Sequence, residues 1–452
     1  MEKILLKDIA EFCGTKTQLD GFVQRISIDS RDVDENTLFV AIFGERFDGN
    51  DFVEDVLKKN VKAVIASKYN GSDKRVMLVP DTGLALLSVA KGYRERFDIP
   101  VVALTGSVGK TTTKGMVFSV VSEKFKALRT EGNLNNEIGV PKTLFRLENG
   151  VEAAVIEMGM NHAGEIRRIA NAVMPDIGII TNIGTAHIEN LGSRENILKA
   201  KTEMLEGMKK GSVVFVNGDN DMLKDFTHKD FIIKKFGVEN SACDIRGENI
   251  RLSPEGTFVT VCAGAEKAEA FVPAVGIHNV YNALCAVGVG LELGMTLCET
   301  IKGVAKFVPE GMRQRITKIM DYTFIEDCYN ANPDSMKAAL ETLKSVKTQR
   351  GIAVLGDMLE LGDYSEKAHR EVGKTAFLTA ADMVLTFGEL SRYTADEAEK
   401  AGVPKVKAFT DKKELTEYLK SVLKASDTVL FKGSRGMALE DIFNSLYEEW
   451  SK

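Results

Sequence analysis

A glycine-rich segment with a lysine and several threonines carries the clearest chemical signal in the sequence. Residues 105–113 read TGSVGKTTT, after a predicted strand at 101–104 and before a predicted helix at 114–125. Glycines let backbone amides turn toward phosphate oxygens, and the N-terminus of a following helix adds partial positive charge. In such a loop Lys110 reaches the β- and γ-phosphates of a nucleotide, and the Thr111 hydroxyl can ligate Mg²⁺. The other loop residues that would surround the phosphates are Gly106, Ser107, Val108, Gly109 and Thr112.

This phosphate loop is shorter than the general phosphate-binding pattern. That pattern, G-x-x-x-x-G-K-[ST], would place its first glycine at position 104, where Leu104 stands. The segment is instead a G-x-x-G-K-T loop, which still predicts nucleotide binding. The difference argues against an ordinary kinase or GTPase.

Candidate metal ligands follow two further apolar runs that predict strands. Glu157 comes directly after the run at 153–156, and His187 ends the segment ITNIGTAH at 180–187. The carboxyl ends of parallel strands are where α/β sheets place their chemistry, and a carboxylate holds Mg²⁺ directly or through water. A histidine in this position is more often structural when it is considered alone. Together with the loop threonine and the glutamate, it favours a metal site.

Length and composition predict a soluble protein of several domains. At roughly 150 residues per domain, the 452 residues suggest about three domains. Apolar residues make up 44% and charged residues 27%, and the net charge of −6 argues against a broadly basic nucleic-acid binder. We expect no signal peptide and no membrane span, because no stretch of about 18 uncharged apolar residues occurs. Six scattered cysteines without a CxxC pair favour reduced thiols in a cytoplasmic protein.

Short apolar runs alternate with amphipathic stretches along the chain, which is typical of α/β architecture. The pattern loosens near 259–262 into the alternation of antiparallel strands, and helices are predicted at 84–97 and 198–205. A break at 307–316 contains a proline and a glycine, so we expect domain boundaries near residues 81 and 311. The main predicted strands are at 37–43, 61–66, 76–79, 101–104, 153–156, 177–180, 213–216, 323–326, 352–355, 383–387 and 428–431.

A series of motifs, spread over nearly the whole chain in a fixed order, resembles the Mur ligase superfamily. Several motifs in family order are far more specific than any one of them. They are SIDSR at 27–31, LFVAIFGERFDGND at 38–51, TGSVGKTTTK at 105–114, EGNLNNEIGVP at 131–141, EMGMNHAGEI at 157–166, NIGTAH at 182–187, GIHNVYN at 276–282, DCYNANPDS at 327–335, GDMLELG at 356–362 and KGSRG at 432–436.

The resemblance implies an ATP-dependent, ADP-forming amide ligase of three α/β domains. A smaller N-terminal domain at 1–81 would bind the UDP end of a muropeptide. A central domain at 82–311, with a mostly parallel sheet of P-loop type and flanking helices, would bind ATP. A Rossmann-like C-terminal domain at 312–452 would close over the site with D-alanyl-D-alanine. The motifs match the branch that joins this dipeptide to UDP-N-acetylmuramoyl-tripeptide through an acyl phosphate, in bacterial peptidoglycan synthesis.

The resemblance also implies roles for residues around the phosphates. Lys110 would contact phosphate, and Thr111, Glu157 and His187 would surround Mg²⁺. Lys201 matches a lysine that is N-carbamylated in many family members, where the carbamate is a ligand of a second Mg²⁺. From its sequence context alone, a lysine of this predicted helix would instead lie on a solvated face.

Other matched positions imply contacts with the remaining parts of the substrates. Asn279 and Asn282 would lie beside adenine, although asparagines three apart also occur on ordinary helix surfaces. Arg313 matches the interdomain arginine, in a GMR motif instead of the commoner PGR. Asp327 and Asn330 would lie near the ribose and phosphate. The positions that imply UDP contacts are Ser30 and Arg31, and those that imply a muropeptide channel are Asn133, Asn135 and Asn136.

Three alternatives remain open at this point. Related ligases that add a single amino acid usually carry a DNPR signature, which is absent here. Folylpolyglutamate synthases lack a full N-terminal UDP domain, whereas about 100 residues precede the phosphate loop. A regulatory NTP-binding protein is disfavoured by Leu104 and by the His187 and Lys201 positions. We expect a monomeric, cytoplasmic bacterial enzyme with small-molecule substrates, without nucleic-acid partners.

Overall fold

Parallel strands joined by helices form three large sheets in the computed structural model, which describes residues 1–44 and 47–450. A fourth, two-stranded sheet lies near the N-terminus. The α/β architecture that the sequence predicts is therefore confirmed. Two positions of the motif at 38–51, Glu45 and Arg46, lie outside the described residues, as do the last two residues of the expected segment 312–452.

The first large sheet has the strand order β3-β4-β5-β6 and is entirely parallel. Its strand β4 is shorter than the predicted run at 37–43, because the chain turns and the Ile42 N–H donates to the Val40 carbonyl at 3.0 Å. The N-terminal elements are β1 (Ile4–Leu5), α1 (Leu6–Phe12), β2 (Phe22–Val23), β3 (Arg25–Ser27), β4 (Thr37–Val40), α2 (Val53–Lys58), β5 (Ala63–Ala66) and β6 (Val76–Leu78).

The second sheet is the largest, with the order β15-β14-β13-β12-β11-β10-β7-β9-β8. Strands β7 to β13 pair with one another in parallel, whereas β13 pairs with β14, and β14 with β15, in antiparallel fashion, as the alternation near 259–262 predicts. The central elements are α3 (Thr82–Arg94), β7 (Val101–Thr105), α4 (Lys110–Val121), β8 (Ala127–Arg129), α5 (Gly139–Leu144), β9 (Ala153–Glu157), α6 (Glu165–Val173), β10 (Ile177–Ile180), α7 (Ile188–Leu191), α8 (Arg194–Thr202), β11 (Val213–Asn217), β12 (Ile232–Gly237), β13 (Ile245–Ser253), β14 (Gly256–Ala263), β15 (Glu266–Val272), α9 (Ile277–Glu292) and α10 (Leu297–Ala305).

Two central helices differ in extent from the sequence prediction. Helix α4 begins at Lys110 and not at 114, because Gly109 adopts a left-handed conformation with φ 80° that turns the loop into the helix. The loop lysine and threonines therefore form the first helical turn, at the positive end of the helix dipole. The helix predicted at 198–205 begins earlier, at Arg194, because Ser193 caps its N-terminus. It ends at Thr202, and the chain continues as a 3-10 helix over Glu203–Gly207.

The third sheet has the order β16-β17-β21-β18-β19-β20, and only β16 pairs antiparallel within it. This arrangement of parallel strands with helices agrees with the expected Rossmann-like form. The C-terminal elements are β16 (Arg315–Ile319), β17 (Tyr322–Asp327), α11 (Pro333–Val346), β18 (Gly351–Gly356), α12 (Ser365–Leu378), β19 (Met383–Phe387), α13 (Arg392–Ala401), β20 (Val406–Phe409), α14 (Lys412–Val422), β21 (Thr428–Lys432) and α15 (Glu440–Trp450).

One hydrophobic core joins the N-terminal elements to the central sheet. Val40 of β4, Val89 of α3 and Ile156 of β9 belong to the same buried cluster. A second cluster, which includes Val117 of α4, fills the opposite face of the central sheet. The C-terminal sheet has separate clusters on its two faces. Across residues 1–44 and 47–450, no helix has both the length and the apolar character that crossing a membrane requires.

Candidate active site

The carboxyl ends of three neighbouring central strands form the base of the site. Strand β7 lies between β10 and β9, and the three strands run parallel. The phosphate loop follows β7, Glu157 is the last residue of β9, and Thr181 follows β10. The fold therefore brings the separate sequence motifs to one edge of one sheet, as the strand-end argument predicts.

Hydrogen bonds fix the phosphate loop to the segment after β10. Asn182 Oδ1 accepts from the backbone N–H groups of Ser107 and Val108, at 3.0 and 2.9 Å. The Thr181 hydroxyl donates to the Val108 carbonyl at 2.7 Å. Lys110 Nζ folds back and donates to the Gly106 carbonyl at 2.9 Å. The pKa of Lys110 is lowered, because burial outweighs the opposing effect of Glu157.

The Glu157 carboxylate is buried among partners from three segments. It accepts from Thr111 Oγ1 at 3.0 Å and from Asn135 Nδ2 at 2.8 Å. Lys114 Nζ lies 3.3 Å from the carboxylate, and neither side chain is more than 2% exposed. Burial alone would raise the pKa of Glu157, but Lys114 and Lys110 hold it below its ordinary value. An ionised carboxylate therefore lies beside the loop threonine.

His187, just before α7, and Lys201, near the end of α8, both lie close enough to Lys110 for its charge to affect their pKa values. His187 is half-buried, and this burial lowers its pKa to about 4, with Lys110 and Lys201 adding to the effect. Its Nδ1 atom lies 3.3 Å from Glu360 Oε2, yet it has no hydrogen-bond partner with acceptable geometry. Lys201 is 1% exposed, and burial places its pKa well below the ordinary value. The His187 imidazole is therefore neutral near pH 7, and burial favours the uncharged form of the Lys201 amine.

A chain of amide side chains leads from α4 toward the C-terminal sheet. The Thr113 hydroxyl donates to Asn282 Oδ1 at 2.9 Å, and Asn282 Nδ2 donates to Asn279 Oδ1 at 3.3 Å. Asn279 in turn donates to Gln314 Oε1 at 3.3 Å, in the segment that connects the two large sheets. The Arg313 guanidinium stacks over the Tyr329 ring, 4.0 Å from its centroid.

The C-terminal sheet contributes a second buried ion pair. Lys432 Nζ lies 2.8 Å from Asp327 Oδ2, and its side chain is 2% exposed. The same ammonium donates to the Asn330 carbonyl at 2.9 Å. Since Asp327 ends β17 and Lys432 ends β21, the pair lies at the carboxyl edge of that sheet.

One cavity of about 1030 Å³ connects these groups, which lie at the facing edges of two sheets. Four site residues from the sequence analysis do not line it. They are Gly106, Lys201, Ser30 and Arg31, of which the last two lie in the turn that follows β3, where Arg31 pairs with Asp29 at 2.8 Å. The sequence-predicted residues that line it are Ser107, Val108, Gly109, Lys110, Thr111, Thr112, Asn133, Asn135, Asn136, Glu157, His187, Asn279, Asn282, Arg313, Asp327 and Asn330.

Sequence reasoning did not assign roles to Lys114, Asn182, Gln314 and Asp334. Lys114 and Asn182 stand inside matched motifs, so their position was a usable signal. Gln314 adopts a left-handed conformation with φ 52°, which no sequence pattern indicates. Asp334 lies in the first turn of α11, within the motif at 327–335. An acidic residue there is also explained by its attraction to the positive N-terminal end of the helix dipole, so the sequence did not mark it as a site residue.

The fold and this site define a class of enzyme. Residues 104–290 match the Mur ligase middle domain, and residues 312–435 match the domain described as Mur ligase, glutamate ligase domain. Residues 23–90 match the description Mur ligase family, catalytic domain. The chain belongs to the Mur ligase family.

Relatives and solved structures resemble the chain over almost its full length. The UDP-N-acetylmuramoyl-tripeptide--D-alanyl-D-alanine ligase of Bacillus subtilis (strain 168) is 38% identical over 94% of this chain and 93% of the relative. The crystal structure of MurF from Acinetobacter baumannii has a TM-score of 0.92 at 31% identity, with 99% of both chains covered. MurF ligase from Thermotoga maritima in complex with ADP has a TM-score of 0.87 at 27% identity, with 94% and 98% covered.

Proposed function

We propose that the chain is an ATP-dependent, ADP-forming ligase that joins D-alanyl-D-alanine to UDP-N-acetylmuramoyl-tripeptide for peptidoglycan synthesis. The observation that carries this proposal is the single cavity shared by the phosphate loop, Glu157 and the Asp327–Lys432 pair. A nucleotide at the loop would have the C-terminal sheet facing it. The names of the relatives supply the identity of the two substrates.

The first step needs alignment more than it needs a protein nucleophile. A carboxylate is a poor electrophile, so the terminal carboxylate of the tripeptide first attacks the γ-phosphate of ATP, and ADP leaves. Such phosphoryl transfers depend on positioning and charge neutralisation. The loop amides, Lys110 and the N-terminus of α4 surround the phosphates, and Asn133 and Asn136 line the approach for the muropeptide.

The second step joins the dipeptide. The free amine of D-alanyl-D-alanine attacks the carbonyl carbon of the acyl phosphate, and inorganic phosphate leaves from the tetrahedral intermediate. Water would hydrolyse the acyl phosphate, so the two sheets must enclose it. The contact between Asp334 and the loop at Gly184 supports this enclosure.

The residues at the phosphate end fit Mg²⁺. Among the described residues, no group of three or more His, Cys, Asp and Glu side chains could hold a metal ion alone. Mg²⁺ ordinarily uses one or two carboxylates together with substrate phosphates, so this arrangement suits a metal that arrives with ATP. Glu157, Thr111 and the unpartnered Nδ1 atom of neutral His187 would hold it. Mg²⁺ would neutralise the charge that develops on the phosphates.

A carbamate on Lys201 belongs to the same proposal. Carbamylation requires an uncharged amine, and burial lowers the pKa of Lys201 well below its ordinary value. Within the described residues, no carboxylate lies within 4.0 Å of Lys201 Nζ to hold the ammonium form. A carbamate there would supply a ligand for a second Mg²⁺.

The division of labour among the three segments is also proposed. Segment 1–81 would bind the UDP end through Ser30 and Arg31, segment 82–311 would bind ATP, and segment 312–452 would bring the dipeptide. The exposed Arg31 side chain, which is 87% accessible, is available to a phosphate or uracil group. We further propose that the enzyme acts as a cytoplasmic monomer.

Phosphate release tests the proposal against a regulatory NTP-binding protein. The purified chain is mixed with ATP and Mg²⁺, with either second substrate alone, and with both. Release is expected to be sustained only when UDP-N-acetylmuramoyl-tripeptide and D-alanyl-D-alanine are both present. Steady release with ATP alone would favour the regulatory protein.

A further inference from the structure

Lys114 is a buried lysine for which the mechanism above has no role. It lies one helical turn beyond Lys110 on α4, and its side chain has no exposed surface. Lysine side chains are almost never fully buried unless they are paired. The ammonium meets two groups from different segments: Glu157 Oε2 at 3.3 Å and the Gly132 carbonyl at 3.1 Å.

The first contact supplies the charge that Glu157 needs. The two other close partners of that carboxylate, the Thr111 hydroxyl and the Asn135 amide, are neutral donors. A buried carboxylate is costly without a cation, and a hydrogen-bonded pair offsets much of that cost. Lys114 therefore constrains the orientation of the carboxylate that faces the loop threonine.

The second contact reaches the asparagine loop, residues 130–136. This loop carries Asn133, Asn135 and Asn136 into the lining of the cavity. Gly132 is at its bend, with φ 50°, and the Asn135 carbonyl accepts from the Gly159 N–H at 2.8 Å. One ammonium thus joins the backbone of the asparagine loop to the carboxylate of the nucleotide site.

We propose that Lys114 is a positioning residue that couples the two sites, so that muropeptide at the asparagine loop and nucleotide at the phosphate loop bind cooperatively. The proposal rests on the proposed function, because it takes the asparagine loop as a muropeptide contact. A ligand that orders the loop fixes the Gly132 carbonyl, and through Nζ it fixes Glu157. The reverse effect must have the same magnitude, because coupling between two binding equilibria is reciprocal.

Calorimetry measures this coupling without turnover. The dissociation constant of UDP-N-acetylmuramoyl-tripeptide is measured alone and with a saturating Mg²⁺ complex of a non-hydrolysable ATP analogue. In the unmodified chain the analogue is expected to tighten muropeptide binding by a factor within the usual range of about 5 to 150. In Lys114→Met this factor should fall toward one, whatever happens to the separate affinities.

Lys124→Met is the matched control. Lys124 Nζ also donates to a glycine carbonyl, that of Gly294 at 2.8 Å, but it lies on the surface away from the cavity. Its coupling factor should equal that of the unmodified chain. Thermal unfolding checks that each variant folds, and Lys114→Gln, which keeps a donor without the charge, replaces Lys114→Met if that variant does not fold.

Two results would overturn the inference. One is an unmodified chain whose coupling factor is already one. The other is a folded Lys114 variant with a lower Tm but an unchanged factor, which would make the lysine merely structural. Failure of the proposed function is distinguishable, because phosphate release by the unmodified chain would then not depend on the presence of both UDP-N-acetylmuramoyl-tripeptide and D-alanyl-D-alanine.

Discussion

Asp334 of α11 lies directly against Gly184, in the loop that follows β10. A Cβ atom at position 184 would lie only 2.0 Å from Asp334 Oδ2. Burial raises the pKa of the Asp334 carboxyl group, and a hydrogen bond from the Thr185 backbone N–H opposes part of this effect. The contact joins the C-terminal sheet to the central sheet beside the phosphate loop, and a glycine is what allows the approach.

Gly184→Ala should displace the Asp334 carboxylate and so disturb the contact between the two sheets. Misplacement of reacting groups by about 1 Å can cost about 100-fold in rate, so we expect kcat to fall by about 10- to 100-fold. Nucleotide affinity should change little, because the phosphate loop itself is untouched. Phosphate release and calorimetry with an ATP analogue measure the two quantities. In an Asp334→Ala background the same glycine substitution should cost clearly less, and equal costs in both backgrounds would contradict the steric explanation.

Glu157→Gln should remove the charge that faces the loop threonine while keeping the shape of the side chain. Loss of such an electrostatic group ordinarily costs about 100-fold or more in rate, and we expect a loss of that size. The Mg²⁺ concentration needed for half-maximal activity should also rise, which a titration measures. Glu123→Gln is the control, because Glu123 forms an ion pair with Lys306 at 2.7 Å that is worth little at the surface. If Glu157→Gln reached half-maximal activity at the same Mg²⁺ concentration as the unmodified chain, the result would argue against a metal role for Glu157.

Lys201→Ala tests the proposed carbamate. We expect activity to fall by on the order of 100-fold, because a ligand of the Mg²⁺ that would neutralise the charge on the phosphates is lost. Small carboxylic acids such as formate should restore part of the activity, since a carboxylate can take the place of the carbamate. Lys199→Ala, on the same helix, should retain full activity with or without the acid. Full activity in Lys201→Ala would exclude the carbamate.

His369 makes the stability of the C-terminal sheet sensitive to acid. Its Nδ1 atom donates to the Ser365 carbonyl at 2.8 Å, and its Nε2 atom accepts from the Met358 N–H at 3.0 Å. Burial lowers the pKa of His369, so below its ordinary pKa of about 6.5 the unfolded chain binds more protons than the folded chain. Stability therefore falls as the pH drops through that region, by at most about 1.4 kcal/mol per pH unit from this group.

Urea unfolding at pH values above and below the ordinary histidine pKa measures this effect. The unfolding midpoint of His369→Gln should fall less on acidification than that of the unmodified chain. His228→Gln, at an exposed position, should behave like the unmodified chain. An identical loss of stability in His369→Gln would show that other groups cause the acid sensitivity.

Local patterns in the sequence were sufficient for the base of the site. The phosphate loop and Glu157 each follow a run of buried residues, and neighbouring parallel strands bring such positions together. The same reasoning placed His187, although its left-handed backbone, with φ 62°, gave no signal in the sequence. The predicted start of α4 at 114 is wrong, because the loop residues 110–113 themselves form the first helical turn after Gly109 turns the chain.

Contacts between the sheets could not be predicted in the same way. Whether Asp334 meets Gly184, or Gln314 meets Asn279, depends on how two sheets lie relative to one another, which no local periodicity encodes. Lys114 was missed for a related reason. A lysine on a helix is ordinarily solvated, and its burial follows only from the positions of Glu157 and Gly132 in space.

Mass measurement of the product tests the central claim most directly. The purified chain is incubated with ATP, Mg²⁺, UDP-N-acetylmuramoyl-tripeptide and D-alanyl-D-alanine, and the UDP-linked species are resolved by mass spectrometry. The ligase account predicts a new species equal to tripeptide plus dipeptide minus one water, formed in equal amount with ADP and phosphate. ADP formation without that species, or a species carrying a single added amino acid from a mixture of candidates, would contradict it.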